Sequence, residues 1–246
     1  MIATRGLIEQ PYASILCYPR VTDPELNKRL RELEQLGIEA LIFTGSKQVL
    51  NVHVLGKGCV GIVTLACRDR AKVALKIRRV DADRSGMQRE AELLRKANLA
   101  SVGPRLLGVS EDFLLMQFID GELLPEWLER QINGSEVKKV LRDVLEQCWR
   151  LDTAALDHGE LSHAPKHIIV NKRNRPFIVD FETASVGRRP SNVTSICQFL
   201  FMGGIADKVF EKIGEKDKKT IRAALRDYKR LRSGEEFGRV LEACGL

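Results

Sequence analysis

The spacing of hydrophobic positions divides the chain into a strand-rich first half and a helical second half. Apolar or alternating runs that end at turn residues predict strands at 40–44, 49–55, 62–67, 72–77, 105–110 and 113–118. One helix is predicted within this half, at about 85–98. Strands followed by helices are typical of an α+β molecule, here with two lobes.

Four leucines predict a helix before the first strand. Asp23 suits a cap, Pro24 suits the first helical position, and Gly37 suits the end of the helix. The stripe consists of Leu26, Leu30, Leu33 and Leu36. We therefore predict an extension at 1–45 that packs on the next domain, a strand-rich lobe at 46–118 and a helical lobe at 119–246.

The second half shows helical periodicity interrupted by one β-like segment. Apolar residues from Val137 to Ala155 share one helical face, and a second stripe runs from Ile221 to Leu231. Two short strands are predicted at 167–170 and 176–181. Ser233 and Glu236 are spaced as a capping box for a last helix.

Composition narrows the class of protein. The 246 residues are 44% hydrophobic and 30% charged, which excludes a disordered polymer. No apolar run reaches the ~18–20 residues of a membrane helix, so we expect no membrane partner, and we find no secretory signal. The six cysteines contain no C-x-x-C pair, which favours reduced thiols and a cytoplasmic location. The net charge of +7 suggests an anionic partner.

A glycine-rich segment lies between two predicted strands. Gly56, Gly58 and Gly61, followed by Val63, read G-x-G-x-x-G-x-V. The β-forming residues after Gly61 place these glycines in a strand–strand turn rather than at a helix start. Such a turn can cover nucleotide phosphates, because glycine lets the backbone approach closely. An ordinary hairpin turn is the alternative.

A lysine and a glutamate extend this pattern. Lys76 lies in an apolar strand, V-A-L-K, where burial requires an anionic partner. In the following helix, Glu90 falls inside the apolar arc at about 100° per residue, whereas Glu92 faces water. We therefore predict an ion pair of Lys76 with Glu90 rather than with Glu92.

Three further segments contain candidate binding groups. The strand 113–118 runs into a turn whose backbone can meet an adenine edge, with Asp120 near a ribose or a cation. Glu160 precedes the strand 167–170, and Asp180 follows the apolar run of the next strand. Two such carboxylates suit Mg²⁺ binding and proton acceptance. The spacing of three histidines also allows a zinc site, formed by His158, His163 and His167.

In this order, the motifs resemble those of the protein-kinase-like superfamily, closest to small atypical RIO-type and archaeal serine/threonine kinase-like proteins. The resemblance runs from about Val52 to Ser185. It implies a bilobal kinase-like fold, with an antiparallel N-lobe containing one helix and a reduced, mainly helical C-lobe, and with the nucleotide in the cleft. It implies ATP and Mg²⁺ as cofactors.

The resemblance also implies roles for individual residues. The three glycines would cover the phosphates, and Lys76 would bind the α- and β-phosphates and pair with Glu90. Gln117 and Ile119 would give backbone contacts to adenine. The catalytic-base and metal-binding positions correspond to Glu160 and Asp180, while Lys166 is a candidate to stabilise the transferred phosphate.

The chain departs from the family pattern in the second half. The family has Asp where Glu160 stands, and His167 takes the place of a metal-binding Asn, seven residues after Glu160 rather than five. Glu182 replaces the glycine of D-F-G and is a candidate metal ligand. Gly187–Pro190 follows closely, which leaves little room for peptide-docking elements.

We therefore expect an ATP-dependent phosphotransferase, an atypical serine/threonine kinase that acts on a protein or small-molecule hydroxyl. Two alternatives stay open. A nucleotide-binding pseudokinase is favoured by the altered catalytic loop. A module that binds RNA or a ribosomal particle is favoured by the net charge, the C-terminal Lys/Arg-rich helix and the residues Lys72, Arg78, Arg79, Arg188 and Arg189.

Overall fold

The computed structural model describes residues 1–83 and 85–246 of an α+β chain in which the strand pairings are antiparallel. The strands are β1 (Ile2–Ala3), β2 (Ala40–Ile42), β3 (Lys47–Val49), β4 (Val52–Val54), β5 (Gly56–Lys57), β6 (Gly61–Arg68), β7 (Ala71–Arg78), β8 (Leu106–Val109), β9 (Phe113–Gln117), β10 (Gly121–Leu123), β11 (Ile168–Asn171) and β12 (Pro176–Ile178). The α-helices are α1 (Tyr12–Leu16), α2 (Asp23–Gln35), α3 (Gly86–Leu99), α4 (Leu124–Arg130), α5 (Gly134–Thr153), α6 (Asn192–Cys197), α7 (Ala206–Ile213), α8 (Lys218–Leu231) and α9 (Gly234–Cys244).

The chain divides into two compact units. The first contains Met1–Arg95 and Pro104–Phe118, and the second contains Lys96–Gly103 and Ile119–Leu246. Residues 1–45 belong to the first unit, because β2 pairs with β6 and β1 with β2. After Phe118, where the sequence predicts the end of the strand-rich lobe, the chain passes into the second unit.

The first unit is built on a sheet of strand order β1-β2-β6-β7-β9-β8, with β5 paired to β6. Its central register aligns Val63 with Lys76, and Lys76 with Leu114. The predicted single strand at 49–55 is wrong, because β3 and β4 form a hairpin. At its turn Leu50 and Asn51 adopt positive φ angles of 49° and 62°, which end the extended run.

Helix α2 is fixed to this sheet by buried charges that the sequence analysis missed. Arg29, which is fully buried, donates to the Asp112 carboxylate and to the Leu16 and Arg78 carbonyls. Arg78 is 2% exposed and also donates to Asp112, so it cannot contribute to a basic surface. The predicted cap is also wrong, since Asp23 is the first helical residue and the cap position belongs to Thr22.

The second unit combines a small sheet, in the order β10-β11-β12, with helices α4 to α9. The predicted apolar face of α5 is buried. Ser233 caps α9 as predicted, its side chain accepting from the Glu236 N–H. Asp217 caps α8, its carboxylate accepting from the N–H groups of Lys219 and Thr220. Such caps satisfy otherwise unpaired backbone N–H groups.

A buried hydrogen-bond network joins three helices of the second unit. The Asp152 carboxylate accepts from the backbone and side-chain amides of Asn192 and from the Tyr228 hydroxyl. Burial and the nearby Asp152 carboxylate raise the pKa of Tyr228 above its ordinary value, so the phenol stays a donor. The three helices joined in this way are α5, α6 and α8.

Within the described residues, no single helix has the length and hydropathy to cross a membrane. The helical segments Asn192–Met202 and Ala206–Ile213, which meet at a bend of 76°, reach that length and hydropathy only when they are taken together.

Candidate functional site

The first group of candidate residues lies on β6, β7 and α3 of the first unit. The predicted ion pair is present, since Nζ of Lys76 lies 2.7 Å from Oε2 of Glu90. Both side chains are buried, with exposed fractions of 7% and 4%. A buried pair costs desolvation that the attraction repays only with good geometry. Such pairs also occur at functional sites, which keeps Lys76 and Glu90 as candidate site residues.

The glycine-rich turn lies directly beside Lys76. The N–H of Gly58 donates to the Gly61 carbonyl over 2.8 Å, which closes the turn between β5 and β6. A Cβ on Gly61 would lie 2.9 Å from the Ile77 carbonyl oxygen and 3.1 Å from Cγ of Lys76. Gly61 is therefore required for the packing of the lysine stem, whereas a Cβ on Gly58 would meet nothing closer than 3.7 Å.

Two of the residues expected near adenine and ribose already make hydrogen bonds within their own unit. The Gln117 N–H donates to the Arg105 carbonyl over 2.8 Å, so this amide is used inside the first unit. Ile119 is buried and begins the second unit. The Asp120 carboxylate accepts from Nζ of Lys172 over 2.6 Å, between two exposed side chains of the second unit.

The second group of candidate residues lies around β11 and β12 of the second unit. Nε2 of His167 lies 2.7 Å from Oε2 of Glu160, and its Nδ1 lies 3.8 Å from Oδ2 of Asp180. The imidazole is 1% exposed, whereas each carboxylate is 38% exposed. Neither ring nitrogen makes a well-aligned hydrogen bond within the described residues, so the two contacts are close approaches. His167 therefore bridges the two carboxylates.

Asp180 adopts an uncommon backbone conformation. Its φ angle is +70°, in the left-handed region that non-glycine residues rarely occupy. Residues held in this way cluster at functional sites, where the surrounding structure enforces the strain. The preceding strand β12 ends at Ile178, so Asp180 lies in the turn that follows it.

His158 packs against His167 in the second unit. Its ring is fully buried and contacts His167 and Phe181 edge-on, with ring centroids 5.4 and 5.1 Å apart. Burial lowers the pKa of His158 to about 4, so the ring is neutral near pH 7. Its Nε2 donates to the Val179 carbonyl over 3.0 Å, which fixes the tautomer.

The loops before and after these strands are joined by hydrogen bonds. Asp157 and Ser185 exchange two backbone hydrogen bonds, of 2.9 and 2.8 Å. Arg188 donates to the Thr183 carbonyl and lies 3.0 Å from the Asp157 carboxylate. Gly159 has a φ angle of +94°, and a Cβ there would meet Arg188 at 2.6 Å. These contacts join the segment just before Glu160 to the segment that follows β12.

Two further candidate site residues lie on the surface of the second unit. Lys166 and His163 are exposed on the loop that precedes β11. The described chain contains no group of three or more His, Cys, Asp or Glu side chains placed to hold a metal ion, so the three histidines do not form the alternative zinc site there. All six cysteines are free.

Part of the chain is similar to a known archaeal protein. The chain is 32% identical to an uncharacterized protein, MJ1211, of Methanocaldococcus jannaschii over 119 residues, which are 47% of this chain and the full length of the relative. The chain belongs to the family of this archaeal protein. No family model matches the chain.

Proposed function

We propose that this protein is an ATP-dependent phosphotransferase with a protein-kinase-like fold, an atypical serine/threonine kinase. The observation that supports this most strongly is the buried ion pair of Lys76 and Glu90 beside Gly61. A lysine held by a carboxylate next to a glycine-rich turn is suited to bind phosphate oxygens, and electrostatic positioning supplies most of the catalysis of phosphoryl transfer.

The proposal assigns the metal to Asp180, with Glu182 as a second candidate. Mg²⁺ is usually held by one or two carboxylates together with substrate phosphates, so a preformed cage of protein ligands is not required. Asp180 fits this need because its half-exposed carboxylate is presented on a strained turn. His167 fits poorly, because Mg²⁺ prefers oxygen ligands. When bound, Mg²⁺ would neutralise charge on the phosphates.

Glu160 is assigned to the acceptor hydroxyl. Its carboxylate is accessible, and the contact with His167 restricts its orientation. In this role it orients the hydroxyl and accepts its proton during transfer. The acceptor is a protein serine or threonine or a small-molecule hydroxyl, and the free cysteines support a cytoplasmic location.

A catalytically impaired pseudokinase is the second candidate. It is favoured by the close contact of Glu160 with a buried histidine, which leaves this carboxylate less free to accept a proton. In that case the protein binds ATP but transfers no phosphate, and acts as a switch or scaffold.

The binding half of the proposal is tested by thermal unfolding with and without ATP and Mg²⁺. We expect ATP to raise the Tm of the wild type and to leave that of Lys76→Ala unchanged. The matched control is Lys72→Ala, on the exposed part of the same strand, which should respond like the wild type. Equal ATP stabilisation of both variants would contradict the role of Lys76. Stabilisation without turnover in the wild type would favour the pseudokinase.

A further inference from the structure

Helix α8 has a strongly basic face. At about 100° per residue, its six cations fall within an arc of about 120°. The arc contains Lys218, Lys219, Arg222, Arg226, Lys229 and Arg230. Asp227, the acidic residue of the helix, lies outside it. The basic face therefore extends about 18 Å along the helix, at ~1.5 Å per residue.

Most of these cations are not used in folding. Lys219, Arg222, Arg226 and Lys229 are exposed and make no ion pair within residues 1–83 and 85–246. Arg230 has only a loose pair with Asp227, at 3.5 Å and largely exposed to solvent. A solvated pair of this kind contributes little and is screened by salt. The face thus carries a charge that the fold does not neutralise.

A loop from elsewhere in the second unit extends this face. Arg189 is exposed and donates to the Lys229 carbonyl over 2.9 Å, at the C-terminal end of α8. Arg232 donates back to the Pro190 carbonyl. These two hydrogen bonds join the loop to the C-terminal end of the helix, so that Arg189 adds a cation beside the basic face.

The apolar side of α8 helps to distinguish lipid, protein and nucleic acid as classes of partner. Its apolar residues Ile221 and Tyr228 are buried in the second unit. An amphipathic helix binds lipid through its apolar side, and here that side is largely packed in the second unit, with Leu231 exposed at the end of the helix. Protein interfaces have a central apolar core with few lysines, whereas nucleic-acid interfaces are much more positively charged.

We propose that the basic face of α8, with Arg189, binds the sugar–phosphate backbone of a nucleic acid. No aromatic side chain of the helix is exposed for base stacking, since Tyr228 is 2% exposed. Binding through phosphates alone carries no sequence information. The surface is therefore a sequence-independent binding site, separate from the residues assigned to phosphotransfer.

The test is binding of the full chain to a labelled RNA duplex, a DNA duplex and a single strand, at several salt concentrations. The variant Arg222→Gln with Arg226→Gln removes two charges from the face. The matched control, Lys138→Gln with Lys139→Gln, removes two exposed charges from α5. Each phosphate contact contributes about 0.9 to the slope of log K against log salt. We expect the first variant to bind about tenfold or more weakly, with a slope smaller by about 2, and the control to match the wild type.

Three outcomes would overturn the proposal. The first is no binding to any nucleic acid at about 50 mM salt, conditions under which electrostatic contacts are strong. The second is an equal loss in both variants, which would mean that net charge alone binds. The third is equal competition by polyglutamate or by phosphatidylserine vesicles at matched charge, which would mean general anion exchange. A loss confined to the α8 variant supports the site, whichever nucleic acid binds best.

Discussion

The buried imidazole of His167 lies against the carboxylate of Glu160, with 2.7 Å between Nε2 and Oε2. The two residues belong to different segments, since Glu160 precedes the short helix Leu161–His163 and His167 stands immediately before β11. A buried residue that contacts a half-exposed carboxylate can fix its direction without itself reaching a substrate. Under the proposed function, His167 is a positioning residue for Glu160.

The first prediction concerns this contact. His167→Ala should lower kcat by about 10²-fold with little change in the KM for ATP, because a small misplacement of Glu160 affects transfer more than nucleotide binding. His163→Ala is the control, since His163 is exposed on the same loop. Steady-state kinetics of both variants measure the difference. An unchanged kcat in His167→Ala would remove the positioning role.

The second prediction concerns Gly61. Gly61→Ala should raise the KM for ATP, because its Cβ would press on the stem of Lys76 and on the Ile77 carbonyl. Gly238→Ala on α9 is the control, since a Cβ there would meet nothing within 4 Å and the residue lies outside the proposed nucleotide site. If the two variants have the same KM, the close approach at Gly61 does not govern the position of Lys76.

The third prediction concerns acid stability. Burial lowers the pKa of His158 to about 4, below the ordinary value of 6.5. Because the folded pKa is the lower one, the stabilisation is complete above pH 6.5 and is lost as the pH falls toward 4. The free energy of unfolding should decrease by about 3 kcal/mol over this range. Denaturant titrations of the wild type and of His158→Leu measure it, and the variant should lose less. An identical pH dependence in both would exclude His158 as the cause.

The fourth prediction concerns the buried charges beneath α2. Burial alone would raise the pKa of Asp112, but Lys28, Arg29 and Arg78 outweigh it and hold that pKa below its ordinary value. Removing the carboxylate leaves the buried Arg29 and Arg78 with Glu25 as their remaining nearby counter-charge. Asp112→Ala should therefore cost about 3 kcal/mol of stability. Glu34→Ala, on the exposed side of α2, should change the free energy of unfolding by less than about 0.5 kcal/mol. A comparable loss in both variants, measured by urea denaturation, would contradict this.

The sequence predicts the parts of the site that depend on local periodicity. The Lys76–Glu90 pair follows from one apolar strand and one helical arc, because a buried carboxylate and a buried lysine in adjacent elements need each other. The long strands β6 and β7 are predicted to within one residue at each end, since their apolar runs end at clear turn residues.

Contacts between distant segments could not be predicted in this way. The pairing of Arg29 with Asp112 joins residues 83 positions apart, and neither position differs from an ordinary surface charge in the sequence. The contact between His167 and Glu160 depends on how the intervening loop folds. That loop has no periodic pattern of hydrophobic residues from which its conformation could be predicted. The hairpin of β3 and β4 was missed because Leu50 is an unusual residue at a positive φ angle.

Transfer of the γ-phosphate tests the central proposal most directly. The purified chain is incubated with γ-labelled ATP and Mg²⁺, and label is measured on the protein and on added serine- and threonine-containing acceptors. We predict label in the wild type and none in Asp180→Asn or Glu160→Gln, with ATP still raising the Tm of Glu160→Gln. Undiminished transfer by Asp180→Asn, or no transfer by a wild type that binds ATP, would contradict the account.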